Sequence, residues 1–168
     1  MKRTLKLAVG IAALSAAPAV FAATDSGTTD LQVTVGPEAS FTVGSGTTTL
    51  TASDTKFGGY AGTTSFTYKI RTTQSGGTGS IVVQVTTFGA GGPAVADLAY
   101  TCTAASGTAC GSSTAASTTS GTSVVTFGAD AHSADAGDAG STAWALADKP
   151  SVKTGSYTST ATYTISAT

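Results

Sequence analysis

Residues 65–73 read SFTYKIRTT. Phe66, Tyr68 and Ile70 fall on one parity, and Thr67, Lys69 and Arg71 on the other. Successive side chains of a strand point to opposite faces, so this stretch predicts a strand with one buried and one wetted face. After the glycine-rich connection QSGGTGS (residues 74–80), IVVQVTTF (residues 81–88) has strand character again. Two such runs joined by glycine and serine predict a hairpin, with a loop longer than the tight two-residue type.

The same alternation extends in both directions. Upstream, Leu31, Val33 and Val35 alternate with Gln32 and Thr34, and GPEAS (residues 36–40) interrupts them. Phe41 and Val43 open a second strand, which TTTLTAS (residues 47–53) continues, and GGYAG (residues 58–62) reads as a loop. Downstream, LAYTCT (residues 98–103) and GTSVVTFG (residues 121–128) are short strands. Residues 129–153 are poorly patterned, with a further strand around Trp144 and Leu146. The closing stretch, GSYTSTATYTISAT (residues 155–168), places Tyr157, Ala161, Tyr163 and Ile165 on one face and Thr158, Thr160, Thr162 and Thr164 on the other. Beyond the first 22 residues no window has a helical period, and the abundant glycine and threonine lower helix propensity further. About seven short strands separated by glycine, serine and proline turns predict an all-β fold, a single immunoglobulin-like antiparallel β-sandwich over residues 30–168.

The first residues have a different grammar. Lys2, Arg3 and Lys6 precede the apolar run LAVGIAALSAAPAV, and Val20 and Ala22 hold the small-residue positions before a cleavage point. This predicts a signal peptide over residues 1–22, a polar flexible lead over residues 23–29, and an exported product, placed in the periplasm, at the cell surface or in an extracellular filament. No later run is apolar enough to span a membrane. Removal of the signal leaves five basic residues against nine acidic ones. A mildly acidic chain is poorly suited to neutralising phosphates, so nucleic acid is not an expected partner. Charged residues make up 10% of the sequence, against about 25% in ordinary globular domains. Threonine, about a fifth of the chain, takes their place.

Few residues carry chemistry. Cys102 and Cys110 are the only cysteines, and in an exported chain their spacing predicts a disulfide across a folded-back hairpin tip. His132 is the only histidine and has no G-x-S-x-G elbow to serve, so it reads as a loop residue. Asp130, Asp135 and Asp138 could offer carboxylates to calcium, though their spacing departs from the D-x-[DN]-x-[DN]-G loop; the other reading is a loop kept hydrated by its acids. Trp144, the single tryptophan, reads as core packing rather than a sugar-stacking platform. Tyr60 is a candidate exposed aromatic for a glycan. No catalytic constellation, cofactor cradle or metal-ligand set emerges, so the expectation is a protein that is not an enzyme and needs no cofactor.

The closing TGSYTSTATYTISAT resembles the C-terminal strand of secreted pilins of the chaperone–usher class, including the spore coat protein U-like group. DLQVTVGPEASFTV (residues 30–43) resembles their leading strand. That resemblance implies an incomplete immunoglobulin-like sandwich whose leading strand, here Leu31, Val33 and Val35, fills the groove of a neighbouring subunit. It also implies partners: other copies of the chain, or a periplasmic chaperone. The Trp144-Ala145-Leu146 triplet and YTSTATYTI are similar to the WxL cell-wall surface proteins, which implies a self-contained surface or carbohydrate-binding module. Alternation by itself fits a strand that pairs within its own chain as well as one donated to another.

Overall fold

Strand β3 spans Tyr60–Arg71 and anchors the fold. Thr64, Phe66, Tyr68 and Ile70 point inward and are buried, while the residues between them are exposed. The computed structural model describes residues 26–54 and 56–168. The expected signal peptide, residues 1–22, lies outside them. The chain divides into two units, Met1–Val33 and Thr34–Thr168, and every described strand belongs to the second.

Among the described residues ten strands form two antiparallel sheets that pack as a sandwich. The remaining strands are β1 (Glu38–Val43), β2 (Thr51–Ala52), β4 (Gly79–Val85), β5 (Leu98–Ala104), β6 (Thr108–Ala109), β7 (Thr114–Ala115), β8 (Thr122–Phe127), β9 (Asp138–Leu146) and β10 (Ala161–Ala167). The larger sheet runs β1-β3-β9-β5-β7, with β2 also pairing β3, and the smaller runs β10-β4-β8-β6. A 3-10 turn, Val95–Asp97, precedes β5.

The two sheets meet through alternate residues. From the larger sheet come Phe66, Tyr68, Ile70, Leu98, Tyr100, Trp144 and Leu146; from the smaller come Ile81, Val83, Val85, Val124, Val125 and Phe127. Consecutive Val124 and Val125 are both inside because the β4–β8 register slips between Ile81 and Val82. Such a bulge inserts one unpaired residue and re-aims its side chain. Each such side chain, fully buried, contributes about 1.5–3 kcal/mol, so these alternating positions are the main source of stability.

Several sequence expectations need correction. β1 begins at Glu38, inside the stretch read as a break, and the run that includes Leu31, Val33 and Val35 pairs with no described strand of its own chain. Tyr60, read as a loop residue, opens β3 opposite Leu146. The strand suggested near Trp144 is the nine-residue β9, set between β3 and β5 in the middle of its sheet. Its pattern was hidden by small residues that packing requires. A Cβ on Gly140 would lie 2.3 Å from Phe66 Cε2, because the Phe66 ring fills that space.

Strands β3 and β4 are not a hairpin, since they lie in different sheets. β3 already has strands on both edges, and the connection carries the chain over Ile70 into the other layer. A Cβ on Gly79 would lie 2.7 Å from Ile70 Cδ1, and one on Gly77 would lie 2.3 Å from the Thr73 carbonyl oxygen. The glycines read as hairpin-loop residues are therefore what allows the close crossing between layers.

The registers define two ends of the sandwich. At one end lie Glu38, opposite Arg71, and the Gly79–Ala167 pair. At the other lie the Tyr60–Leu146 pair and Val85, opposite Ala161.

Candidate functional site

The core is unevenly covered. On the central strands the inward apolar residues are buried. On the edge strand β10 the inward Tyr163, Ile165 and Ala167 are only half-buried. On the facing edge strand β1, Ala39 and Phe41 are half-buried and Val43 is 39% exposed. Phe41 and Tyr163 stack across the gap with ring centroids 5.4 Å apart. β10 pairs only with β4, so its other edge leaves backbone groups available for a further strand.

This open side widens into a cleft of about 1050 Å³ at the end opposite Glu38. Leu50, Tyr60, Leu146 and Tyr163 line it, with Lys149 and Lys153 among its walls. The wall formed by residues 47–50 lies directly on β3. A Cβ on Gly62 would come within 2.6 Å of the Thr49 carbonyl oxygen, so only glycine leaves room for this segment. Phe57, 62% exposed and at φ 59°, also lines the cleft. Left-handed backbone is costly for a bulky residue. Here Asp54 Oδ1 holds the turn, accepting the Lys56 amide (2.8 Å) and the Gly58 amide (2.9 Å).

Beneath the cleft is a cluster of hydroxyls. Trp144 Nε1 donates to Thr64 Oγ1 at 2.9 Å, and Thr48 Oγ1 lies 2.6 Å from the same atom. The Tyr163 hydroxyl and Thr142 Oγ1 are buried, and neither completes a hydrogen bond among the described residues. Burial pushes the Tyr163 phenol pKa above its ordinary value, and the nearby Thr142, Thr64 and Trp144 polar groups oppose the rise. Tyr100 is raised for the same reason, opposed by its bond to Thr122. The sequence reading missed this cluster. The signal was present in Thr64, a hydroxyl residue on the same parity as Phe66, Tyr68 and Ile70.

Leu31, Val33 and Val35 are 94%, 82% and 60% exposed. Residues 26–37 contain neither strand nor helix. In the closing stretch Tyr157 lies ahead of β10, which begins at Ala161; its hydroxyl donates to the Lys153 carbonyl (2.9 Å), a local bond that closes a turn instead of extending the strand. Ala161 is exposed, Tyr163 and Ile165 face inward, and Thr158, Thr160, Thr162 and Thr164 are exposed.

Cys102 and Cys110 are bonded, with Cα atoms 5.3 Å apart. Cys102 belongs to β5 of the larger sheet. Cys110 follows β6 of the smaller one, and its amide donates to the Val124 carbonyl. The bridge therefore staples the two sheets on the side away from β1 and β10.

The remaining candidates disperse. His132 is exposed and its Nδ1 lies 3.0 Å from the Asp130 carbonyl oxygen. Asp130 and Asp135 are exposed, whereas Asp138 takes a hydrogen bond from Ser106 Oγ and one from the Ala134 amide. Among the described residues no three His, Cys, Asp or Glu side chains gather as metal ligands. Tyr60 is half-buried at the cleft and not a free platform. Trp144 is 6% exposed, as a core residue is. No described helix is long and apolar enough to cross a membrane. Comparison with protein-family models, curated proteins and solved structures finds no match to this chain.

Proposed function

We propose that this chain is a structural subunit of an exported surface filament or coat, assembling with copies of itself by β-strand addition. Residues 31–35 of one copy would pair with the free edge of β10 in the next. One observation carries the reading: large apolar side chains are left half-covered beside an unpaired strand edge, while the same chain exposes three apolar residues at strand spacing. An added strand supplies main-chain hydrogen bonds and places alternate side chains against the half-covered row.

The two ends of the sandwich give such assembly a direction. Glu38, where the donated segment joins the body, is at one end, and the cleft is at the other. A contact between different ends of identical molecules is heterologous: it does not close as a two-fold pair, and it extends into an open chain when its rotation does not close a ring.

The deciding experiment uses residues 23–168, purified without a chaperone, with mass measured by light scattering across concentration. Wild type should form multimers. Val33→Asp should remain monomeric with an unchanged urea midpoint, because Val33 is already 82% exposed. A wild-type chain that stays monomeric at high concentration would overturn the proposal. It would favour a self-contained carbohydrate-binding module, the reading supported by the exposed Phe57 ring in the cleft; binding of soluble glycans by that monomer would then establish the alternative.

A further inference from the structure

We infer that Lys153 is the docking cation for Glu38 of a second copy, and that this ion pair sets how far the donated segment enters the cleft. The inference rests on the strand-addition reading and adds a register to it. Chain connectivity makes the first step. When Val35 lies inside the cleft, Glu38 follows three residues later, at most about 10 Å along extended chain. Its own sandwich must stay outside, so Glu38 is held near the rim.

Pro37 tightens that constraint. Its ring fixes its own φ, and it biases Gly36 toward extended backbone, which leaves little slack between Val35 and Glu38.

Among the described residues that line the cleft, the cations are Lys149 and Lys153. Lys149 Nζ is already engaged by Asp97, 2.5 Å away, whose side chain is only 13% exposed. Lys153 is exposed and makes no ion pair among the described residues. Its backbone carbonyl accepts the Tyr157 hydroxyl, which fixes its place on the cleft wall. Glu38 is also accessible. It pairs with Arg71 at 2.8 Å, but the two side chains are 77% and 46% exposed. An exposed pair of this kind contributes little, so Glu38 can be shared with a second cation. Charges at the rim of an interface mainly select register and partner.

The test is a charge exchange between chains, read as the association constant of residues 23–168 by sedimentation. Lys153→Glu and Glu38→Lys should each weaken self-association, by roughly ten-fold at low salt, with a smaller loss at high salt. Mixing the two variants should restore association to within about three-fold of wild type, because each variant then meets its opposite charge on the other. Glu38→Lys also loses its Arg71 partner, so Glu38→Gln and urea midpoints for every variant separate a folding defect from a docking defect. Failure of the mixture to exceed either variant alone would overturn the pair, as would single variants that associate like wild type; in both cases multimers of wild type would leave the strand-addition reading in place. A wild-type chain without multimers overturns both.

Discussion

Replacing Thr64 by valine keeps the shape and β-branching of the side chain but removes the oxygen to which Trp144 Nε1 donates at 2.9 Å. Thr64 is 6% exposed and Trp144 is 6% exposed, so water cannot readily replace the lost acceptor. A buried donor left without a partner costs about 1–3 kcal/mol. Thr48, the other hydroxyl on Thr64, is half-buried beside the cleft and can turn to solvent, so it adds little. The expected loss is therefore about 1–3 kcal/mol. Thr142→Val is the matched control. Thr142 is 0% exposed and its hydroxyl completes no hydrogen bond among the described residues, so removing it should change stability by no more than about 1 kcal/mol in either direction. Urea unfolding followed by tryptophan fluorescence reads both variants directly, because Trp144 is the only tryptophan and lies within the cluster. The m-value should not change. Equal losses from the two substitutions, or a Thr142→Val loss above about 1 kcal/mol, would refute the assignment of paired and unpaired hydroxyls.

Replacing Cys102 and Cys110 together by serine should lower stability by about 2–3 kcal/mol without loss of the β circular-dichroism signature, since the bridge closes a short loop between sheets already joined by the core. Tyr163→Asp should prevent recovery of folded protein by setting a charge among buried hydroxyls, whereas Thr162→Asp, on the exposed face of the same strand, should leave the urea midpoint almost unchanged. Alkaline pH should also expose the burial of Tyr100 and Tyr163, whose folded-state pKa values are raised. The unfolded phenols ionise near 10, so the unfolded state releases protons first. The stabilising contribution is complete below that value and is lost as pH rises through the higher folded values. A urea midpoint that stays constant from pH 8 to well above 10 would contradict it.

Much of the architecture is legible in alternation alone, because core-facing strands write their burial into every second residue. β3 is the clearest case, with four inward positions in one parity. β9 is the counterexample: its outward Ala139, Ala143 and Ala145 give no polar contrast, and Gly140 is set by the Phe66 ring on another strand. The β3–β4 connection was misread because glycine marks a tight crossing between layers as readily as a turn within one. The alternation of Leu31, Val33 and Val35 is real, yet those residues are exposed and outside every strand. Period two records what a segment can pair with, and leaves open whether the partner belongs to the same molecule. Tyr157 shared parity with Tyr163 and still fell outside β10, because its hydroxyl closes a local turn at Lys153.

The placement of β3 and β4 in opposite layers also bears on how the chain reaches its native state. Tyr60 pairs with Leu146, and Gly79 with Ala167. The central partners of both early strands thus come from the last third of the sequence. A chain emerging from its N-terminus completes the larger sheet only once β9 is available and the smaller only once β10 is. Its long-range pairings carry a high loop-closure cost, which places it among slow folders of high contact order. During that interval β3 offers a threonine-rich edge along its full length, with β9 not yet present to cover it. Early strands waiting for late ones are exposed to wrong partners, so the rate at which β9 arrives should govern the yield of native protein more than the stability of the finished sandwich does.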